Sequence, residues 1–529
     1  MKYYDIIASV NDSINGFVWG TVGVWLLLIV GIIMTCMTKV FQVTHFAHWM
    51  KMTLGRLFDK KVTAHSKEQA SISQFQALCT ALAATVGVGN IAGVSAAIMS
   101  GGPGAIFWMW VAAFFGMMTN YSENVLGIYF RRKNTEGEWS GGPMYYLQDG
   151  LGKGEGFRKG FGKFLAVVFS ICALLASFGI GNMGQVNKIV INITNAFDIE
   201  ILSGIVLYGD GDAKVTLYML LVGVALLIVV ASVILGGIKR IAEVAETIIP
   251  FMVVAFMLGS ITVIVVNAGQ IIPVFGAILG DAFTGRAVWG AAVGVSLKQI
   301  ITIGCKRGVF SNEAGLGSSV MVHSNSNVIE PVRQGMWGIF EVFMDTMVVC
   351  TLTAFTILTS GVINLETGVA VTDKDSTLVA EAFNTVFSIG NFHFGKYFIA
   401  IAILLFAFTT VLGWSHYGTK AVEYLATSKE AKTVTIIYKI VFIVMILSGA
   451  LMTTSLAWDI SDTFNGLMMI PNLIGVVFLS PLVMKITRNY VDRHLKHRTD
   501  VKPMFSFDPE IQKAQEELAK TADEEDDVV

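Results

Sequence analysis

The chain has 529 residues, 54% hydrophobic and only 14% charged, against roughly a quarter charged in an ordinary soluble domain. Its formal net charge is −2, so nothing in the balance points to nucleic acid or an acidic polymer as partner. The five cysteines, Cys36, Cys79, Cys172, Cys305 and Cys350, are isolated in or beside apolar segments and read as small core residues rather than a metal or redox centre.

Apolar runs of roughly twenty residues, each enough to cross about 30 Å of hydrocarbon as a helix, recur from end to end. They predict an all-α polytopic membrane protein with about 11 transmembrane helices, near 17–38, 74–99, 103–130, 163–192, 214–236, 241–268, 286–305, 335–361, 397–425, 434–456 and 464–487. No basic stretch precedes the first run and no small-residue cleavage site follows it, so it reads as a retained helix rather than a signal peptide. With the N-terminus outside, most of the 37 Lys and Arg fall on the cytoplasmic side. The positive-inside rule therefore predicts an external N-terminus and a cytoplasmic C-terminus in the cell membrane. The tail from Phe507 to Val529 is polar and acidic towards its end and reads as solvated. The 362–396 connection is long enough for a small external lid.

Irregularities inside the spans carry the functional signal. The second span holds Gly87, Gly89 and Gly93 with Asn90 among them; each glycine weakens a helix by about 1 kcal/mol relative to Ala. Unwound backbone at that depth is tolerated only where it lines a cavity, and a packing seam of small residues is the plainer alternative. The seventh span is interrupted in turn from Gly290 to Ser296 and opens a second set of five spans. Spans two to six and seven to eleven then form two halves of opposite orientation, each opened by a glycine-interrupted helix. That is the pattern of a 5+5 inverted repeat after one extra N-terminal helix, with the substrate and ion site midway through the bilayer between two discontinuous helices. The organisation it implies is 1–70 for the extra helix and a cytoplasmic loop, 71–270 and 271–490 for the repeats, and 491–529 for a cytoplasmic tail. Half-helix N-termini offer N–H groups to a carboxylate, and freed carbonyls suit a small cation.

Several longer runs carry a family resemblance. Gly101-Gly102-Pro103-Gly104-Ala105-Ile106-Phe107-Trp108-Met109-Trp110, Ser140-Gly141-Gly142-Pro143-Met144-Tyr145-Tyr146, Gly179-Ile180-Gly181-Asn182-Met183, Phe310-Ser311-Asn312-Glu313-Ala314-Gly315-Leu316-Gly317-Ser318, Gly413-Trp414-Ser415 and Asn465-Gly466-Leu467-Met468-Met469-Ile470-Pro471-Asn472 resemble motifs of the alanine or glycine:cation symporter family, in order over about residues 70–490. The resemblance implies a leucine-transporter-type fold preceded by one extra helix, and sodium-driven uptake of alanine or glycine by alternating access. It also implies that N–H groups of Val88, Gly89 and Asn90, beside Gly87, hold the substrate carboxylate. The carbonyls of Ala83 and Val86, with the hydroxyls of Thr409 and Thr410, would hold Na⁺, a hard cation suited to oxygen donors. Neighbouring hydroxyls in an apolar run equally suit plain capping of backbone carbonyls.

Trp414 lies one helical turn beyond Thr410 and on the same face, where it would wall a pocket, or else serve as packing or an interfacial anchor. Asn182 and Gln185 on the fourth span, and Ser296 beside the second interruption, are further candidates for substrate contact. Glu341, Asp345 and Lys298 are charged residues inside spans and suit an ion pair, a gate or a protonation site. Glu123, Glu243 and Glu246 read as hydrated near a boundary, and Glu313 is matched by a motif without a derived role. No HExxH or GxSxG occurs and His416 is the only histidine well inside a span, which argues against an enzyme. The polar residues gather at two mid-membrane breaks rather than along a pore, which argues against a channel. The competing expectation is a proton-coupled symporter of a neutral amino acid such as serine or glutamine. The partners expected are the amino acid, the coupling ion and the lipid bilayer, with no obligate protein partner.

Overall fold

The computed structural model describes residues 2–57, 71–209, 211, 214–284, 296–365, 367–390, 392–426, 430–452 and 456–521. Its longer helices in chain order are α1 (Lys2–Val18), α2 (Thr21–Met37), α3 (Gln74–Thr85), α4 (Val94–Gly101), α5 (Gly104–Tyr129), α6 (Phe157–Phe178), α7 (Gly184–Ala196), α8 (Leu217–Ile234) and α9 (Gly237–Val266). They continue as α10 (Ile271–Thr284), α11 (Leu297–Asn312), α12 (Pro331–Val342), α13 (Thr351–Thr359), α14 (Asp375–Asn384), α15 (Phe394–Leu425), α16 (Ala431–Ala450), α17 (Leu456–Tyr490) and α18 (Pro509–Thr521). The described strands form only two-stranded hairpins.

Among the described residues eight helical runs are long and apolar enough to cross a membrane, or nine if the bent pair α3–α4 is one span. Eight of the eleven runs read from the sequence coincide with them, and the 74–99 run is the bent pair. The 103–130 run is α5, a continuous helix of 26 residues. The 286–305 run starts among residues outside the description and continues into α11.

Burial sorts these helices into an inner and an outer set. In α15, 78% of the most apolar window is buried, against 28% in α9 and 33% in α8 and α16, so α15 runs through the centre while the others turn one side to lipid. The inner helices approach closely where small residues permit it. A Cβ on Gly304 of α11 would lie 2.3 Å from the Ala105 carbonyl oxygen of α5, and one on Gly338 of α12 would lie 2.4 Å from Asn120 Oδ1. The site is thereby framed by α3, α11 and α15, with α5 and α12 behind.

The tail departs from its expected character. Phe507 donates its N–H to the Tyr129 carbonyl (2.9 Å) and sets its ring 5.0 Å from that of Phe130 at a 37° tilt, after which the chain forms α18. Residues 522–529 lie outside the described set. The 362–396 connection contains α14, packed on α15, and a short hairpin at Ser388–Ile389 and Phe392–His393.

Candidate functional site

The first interruption is built from a helix that starts firmly and stops abruptly. Ser73 opens α3 with a reciprocal capping box to Gln76, which satisfies two otherwise orphan donors. The chain leaves the helix at Val86 (ψ 90°), and the axis turns by 53° before the second half from Gly89 to Gly101. A side chain replaces the missing helical bond, because Asn90 Oδ1 accepts from the Gly87 N–H at 2.9 Å. Asn90 Nδ2 in turn donates to Asp345 Oδ1 at 2.7 Å. Val88 and Gly89 stand at the start of the second half, the position at which a helix leaves its first N–H groups without an intrahelical partner.

The second interruption that the sequence suggested falls almost wholly outside the described residues, and a further interruption is described downstream of it. Residues 285–295, which include most of the proposed break from Gly290 to Ser296, lie outside the described residues. Ser296 is exposed and caps the start of α11 by a box with Gln299, so the structure does not bring it to the first break. Instead α11 stops at Asn312, and Glu313 adopts a left-handed conformation (φ 55°). Gly315 (φ 90°) and Gly317 (φ 75°) continue the turn in backbone that only glycine enters without steric cost. The helix resumes for one turn at Val320–His323. Asn312 Oδ1 accepts from the Ala314 N–H (3.0 Å), the same device that Asn90 supplies at the first break.

These two interruptions meet. One small cavity is lined by Gly87, Val88 and Gly89 from the first, Phe310 and Glu313 from the second, Thr410 and Trp414 from α15, Ile180 and Gln185 from the α6–α7 span, and Asn465 from α17. Its free volume is ≈ 20 Å³, about one water, so an amino acid enters only as the walls part. Asp345 joins the breaks from behind, taking Asn90 on Oδ1 and Ser311 (2.7 Å) and Thr346 (2.8 Å) on Oδ2. Cys350 Sγ lies 3.4 Å from Asn90 Nδ2 and 3.2 Å from Ser311 Oγ, so this cysteine is part of the network rather than plain filler. Asp345 occupies a π-helical stretch from Phe343 to Cys350, a local widening that often marks functional positions.

The sequence-selected residues divide by position. Thr410 sits against the first break, since a Cβ on Gly87 would be 2.7 Å from Thr410 Oγ1. Gly413, one turn on, faces Ala84, where a Cβ would come within 2.6 Å. Ala83, Val86 and Thr409 are buried beside them. The Thr409 and Thr410 hydroxyls both donate to the Phe406 carbonyl (2.9 and 3.0 Å), which leaves their oxygen lone pairs as acceptors. Gln185 faces the cavity with a buried Oε1 that has no partner. Asn182 turns away, donating to the Phe442 carbonyl of α16 at 2.6 Å. Trp414 packs so tightly on Gly181 that a Cβ there would be 2.4 Å from the indole.

Glu313 is the residue whose role sequence reasoning missed. Its Oε1 accepts from Trp414 Nε1 at 3.0 Å and its Oε2 from Ser318 Oγ, so a carboxylate and an indole share one wall of the cavity. The available signal was the pair of glycines after it, whose need for left-handed backbone marks a turn. The expected grouping of Lys298 with Glu341 and Asp345 does not form. Lys298 is exposed, whereas both carboxylates are fully buried among hydrogen-bonding neighbours. Glu123 is also buried rather than hydrated, and takes a hydrogen bond from Asn472.

Comparison with known proteins supplies the lineage. The sodium:alanine symporter family model matches residues 4–505. This chain belongs to that family. The sodium/alanine symporter AgcS of Methanococcus maripaludis is 39% identical over 92% of this chain and 97% of its own. A putative sodium/proton-dependent alanine carrier protein of Bacillus subtilis, YrbD, is 34% identical over 94% of this chain and 95% of its own. Among solved structures, the L-phenylalanine complex of MhsT aligns with a TM-score of 0.51 at 14% identity, covering 80% of this chain and 99% of that one, which places the fold in the leucine-transporter class. The protein is thus a multi-pass membrane transporter, a secondary amino-acid symporter and not an enzyme.

Proposed function

We propose that this symporter carries a small neutral amino acid, alanine or glycine, into the cell together with Na⁺. The observation that carries this reading is the meeting of two broken helices around one cavity with complementary poles. On one side stand the N–H groups of Val88 and Gly89, matched to a carboxylate. On the other stand the Glu313 carboxylate and the unpartnered oxygens of Gln185 and Asn465, matched to an ammonium group. Trp414 on Gly181 leaves no depth for a long side chain, so selection is steric. Na⁺ takes the carbonyls of Ala83 and Val86 and the hydroxyls of Thr409 and Thr410, and its arrival fixes the geometry of the first break before the substrate docks.

Charge placement supports an external N-terminus, with the two five-helix halves at 71–270 and 271–490 rocking about the site. Asp462 bridges one end of the assembly, bonded to Lys306 (3.1 Å) and Asn15 (3.0 Å). At the other end Ile72 is tied to Asn325 (3.1 Å) and Asn327 (2.9 Å). Alternating access requires these two closures to open in turn. The test is radiolabelled alanine uptake into proteoliposomes under imposed Na⁺ or proton gradients. The double variant Thr409→Val/Thr410→Ala should raise the Na⁺ concentration for half-maximal uptake about tenfold or more, the loss of roughly 1.4 kcal/mol or more of ion binding. Unchanged sodium dependence in that variant would remove the ion assignment.

A further inference from the structure

The span that supplies Ile180 and Gln185 to the cavity wall is irregular. Between α6 and α7 it passes through a π-helical turn from Gly179 to Met183, a rare form that occurs mostly as a single turn inside an α-helix. Ser461 of α17 holds that turn from outside. Its Oγ accepts from the Ile180 N–H at 2.6 Å, and its hydroxyl donates to the Ala176 carbonyl at 3.2 Å. Ala176 lies four residues ahead of Ile180 and is the acceptor that a regular α-helix assigns to that N–H. The serine hydroxyl thus bridges the two ends of one helical hydrogen bond, the kind of side-chain insertion that bends a helix.

A serine in a span more often spends its hydroxyl on its own helix. Ser170, Ser415 and Ser480 do so, donating to the carbonyls of Ala166 (2.8 Å), Leu412 (2.6 Å) and Val477 (2.7 Å). Ser461 is buried and reaches across to another helix instead. Its neighbours anchor it there. Trp19 Nε1 donates to the Asp462 carbonyl at 2.9 Å, and the Asp462 carboxylate takes Lys306 (3.1 Å) and Asn15 (3.0 Å). The hydroxyl is therefore presented from a fixed point on α17.

What the turn controls is the cavity. The Ile180 carbonyl accepts from Gln185 Nε2 at 3.2 Å, so both backbone groups of Ile180 are held by side chains. That bond fixes the Gln185 amide with its Oε1 unpartnered, and Ile180 and Gln185 both line the cavity. Gly181, the next residue, is the seat of the Trp414 indole, where a Cβ would lie 2.4 Å away. Three features of the wall therefore depend on the shape of one turn, while Ser461 is not among the residues that line the cavity.

We infer that Ser461 is a positioning residue for substrate selection. By bridging Ile180 and Ala176 it fixes the π-helical turn, and the turn fixes where Ile180, Gly181 and Gln185 stand against the amino acid. Without the hydroxyl, the Ile180 N–H returns to the Ala176 carbonyl, the turn tightens towards an α-helix, and the wall rotates. The consequence for selectivity rests on the proposed substrate cavity; the consequence for the turn does not.

Ser461→Ala tests the inference, since it removes the hydroxyl and puts the best helix former in its place. In proteoliposome uptake the ratio of KM for alanine to KM for a bulkier neutral amino acid such as valine should change about tenfold or more, the scale on which a methylene group is discriminated. The kcat for alanine should change little, since the altered contacts bind the amino acid rather than drive its passage. Loss of thermal stability with every KM at its wild-type value would mark plain adhesion between helices and overturn the inference. Cryo-electron microscopy of the same variant in nanodiscs gives the second reading. An Ile180 N–H bonded to Ala176 alone, with Gln185 displaced from the cavity, supports the inference, and an unchanged π-helical turn overturns it. If the wild type takes up neither alanine nor another small neutral amino acid, the substrate reading fails, and the geometry of the turn in Ser461→Ala then decides the inference by itself.

Discussion

At the first interruption a neutral amide does the holding: Asn90 receives the Gly87 N–H and passes its own donor to Asp345. At the second, Asn312 caps the Ala314 N–H in a similar way, and a carboxyl group stands beside it, with Glu313 caught between Ser318 and Trp414. The difference matters because each break presents what its holder leaves free. On the proposed reading, the first break offers backbone N–H groups to the substrate and the second offers a carboxyl group. On the same reading a zwitterion binds between them in one orientation, in a cavity that has a volume of ≈ 20 Å³ in this structure.

Breaking the link behind the first interruption should have the largest effect. Asp345→Ala strands donors from Asn90, Ser311 and Thr346; hydrogen bonds to a charged group contribute about 1.5–3 kcal/mol each. Stability should fall by at least about 3 kcal/mol and uptake should be abolished, read as thermal unfolding in detergent beside proteoliposome flux. At the second break, Glu313→Gln keeps the shape and replaces the carboxyl group with an amide. It should lower substrate affinity about tenfold or more, the scale of one charge-assisted bond of roughly 1.5–3 kcal/mol, with folding intact; competition binding reads it. Trp414→Phe removes only the indole donor to Glu313 and should raise KM by a smaller factor, within about tenfold by the same scale. Ser296→Ala sharpens the contrast from outside. It should cost at most about 1–2 kcal/mol, as an N-cap change does, and leave uptake within roughly twofold, whereas a tenfold loss would return Ser296 to the site.

The unequal legibility of the two breaks has a physical origin. Gly87, Val88, Gly89 and Asn90 announce an interruption because glycines and an amide are out of place within an apolar run. The break at Asn312 hides in a polar stretch, where Ser311, Asn312, Glu313 and Ser318 look like an ordinary loop. Hydropathy located most of the spans, since about twenty apolar residues in a row have few other uses. It could not separate Gln185 from Asn182, because three residues apart on a helix near a π-helical turn from Gly179 to Met183 does not ensure a common direction. The burial of Glu123 was equally hidden, since Asn472, which donates to it, comes from a distant part of the chain.

The hook formed by Phe507 on Tyr129 and Phe130 changes what can be attached to this protein and where. Arg493, at the foot of α17, covers the Phe505 ring at 5.4 Å, and Lys153 covers Phe507 at 5.3 Å, so this stretch clasps three separate parts of the bundle. A reporter or purification handle joined after residue 521 leaves the clasp in place. A shortened version ending before residue 505 would strip an aromatic seal from the ends of α5 and α17, and differences in its transport would describe a damaged rim rather than a dispensable tail.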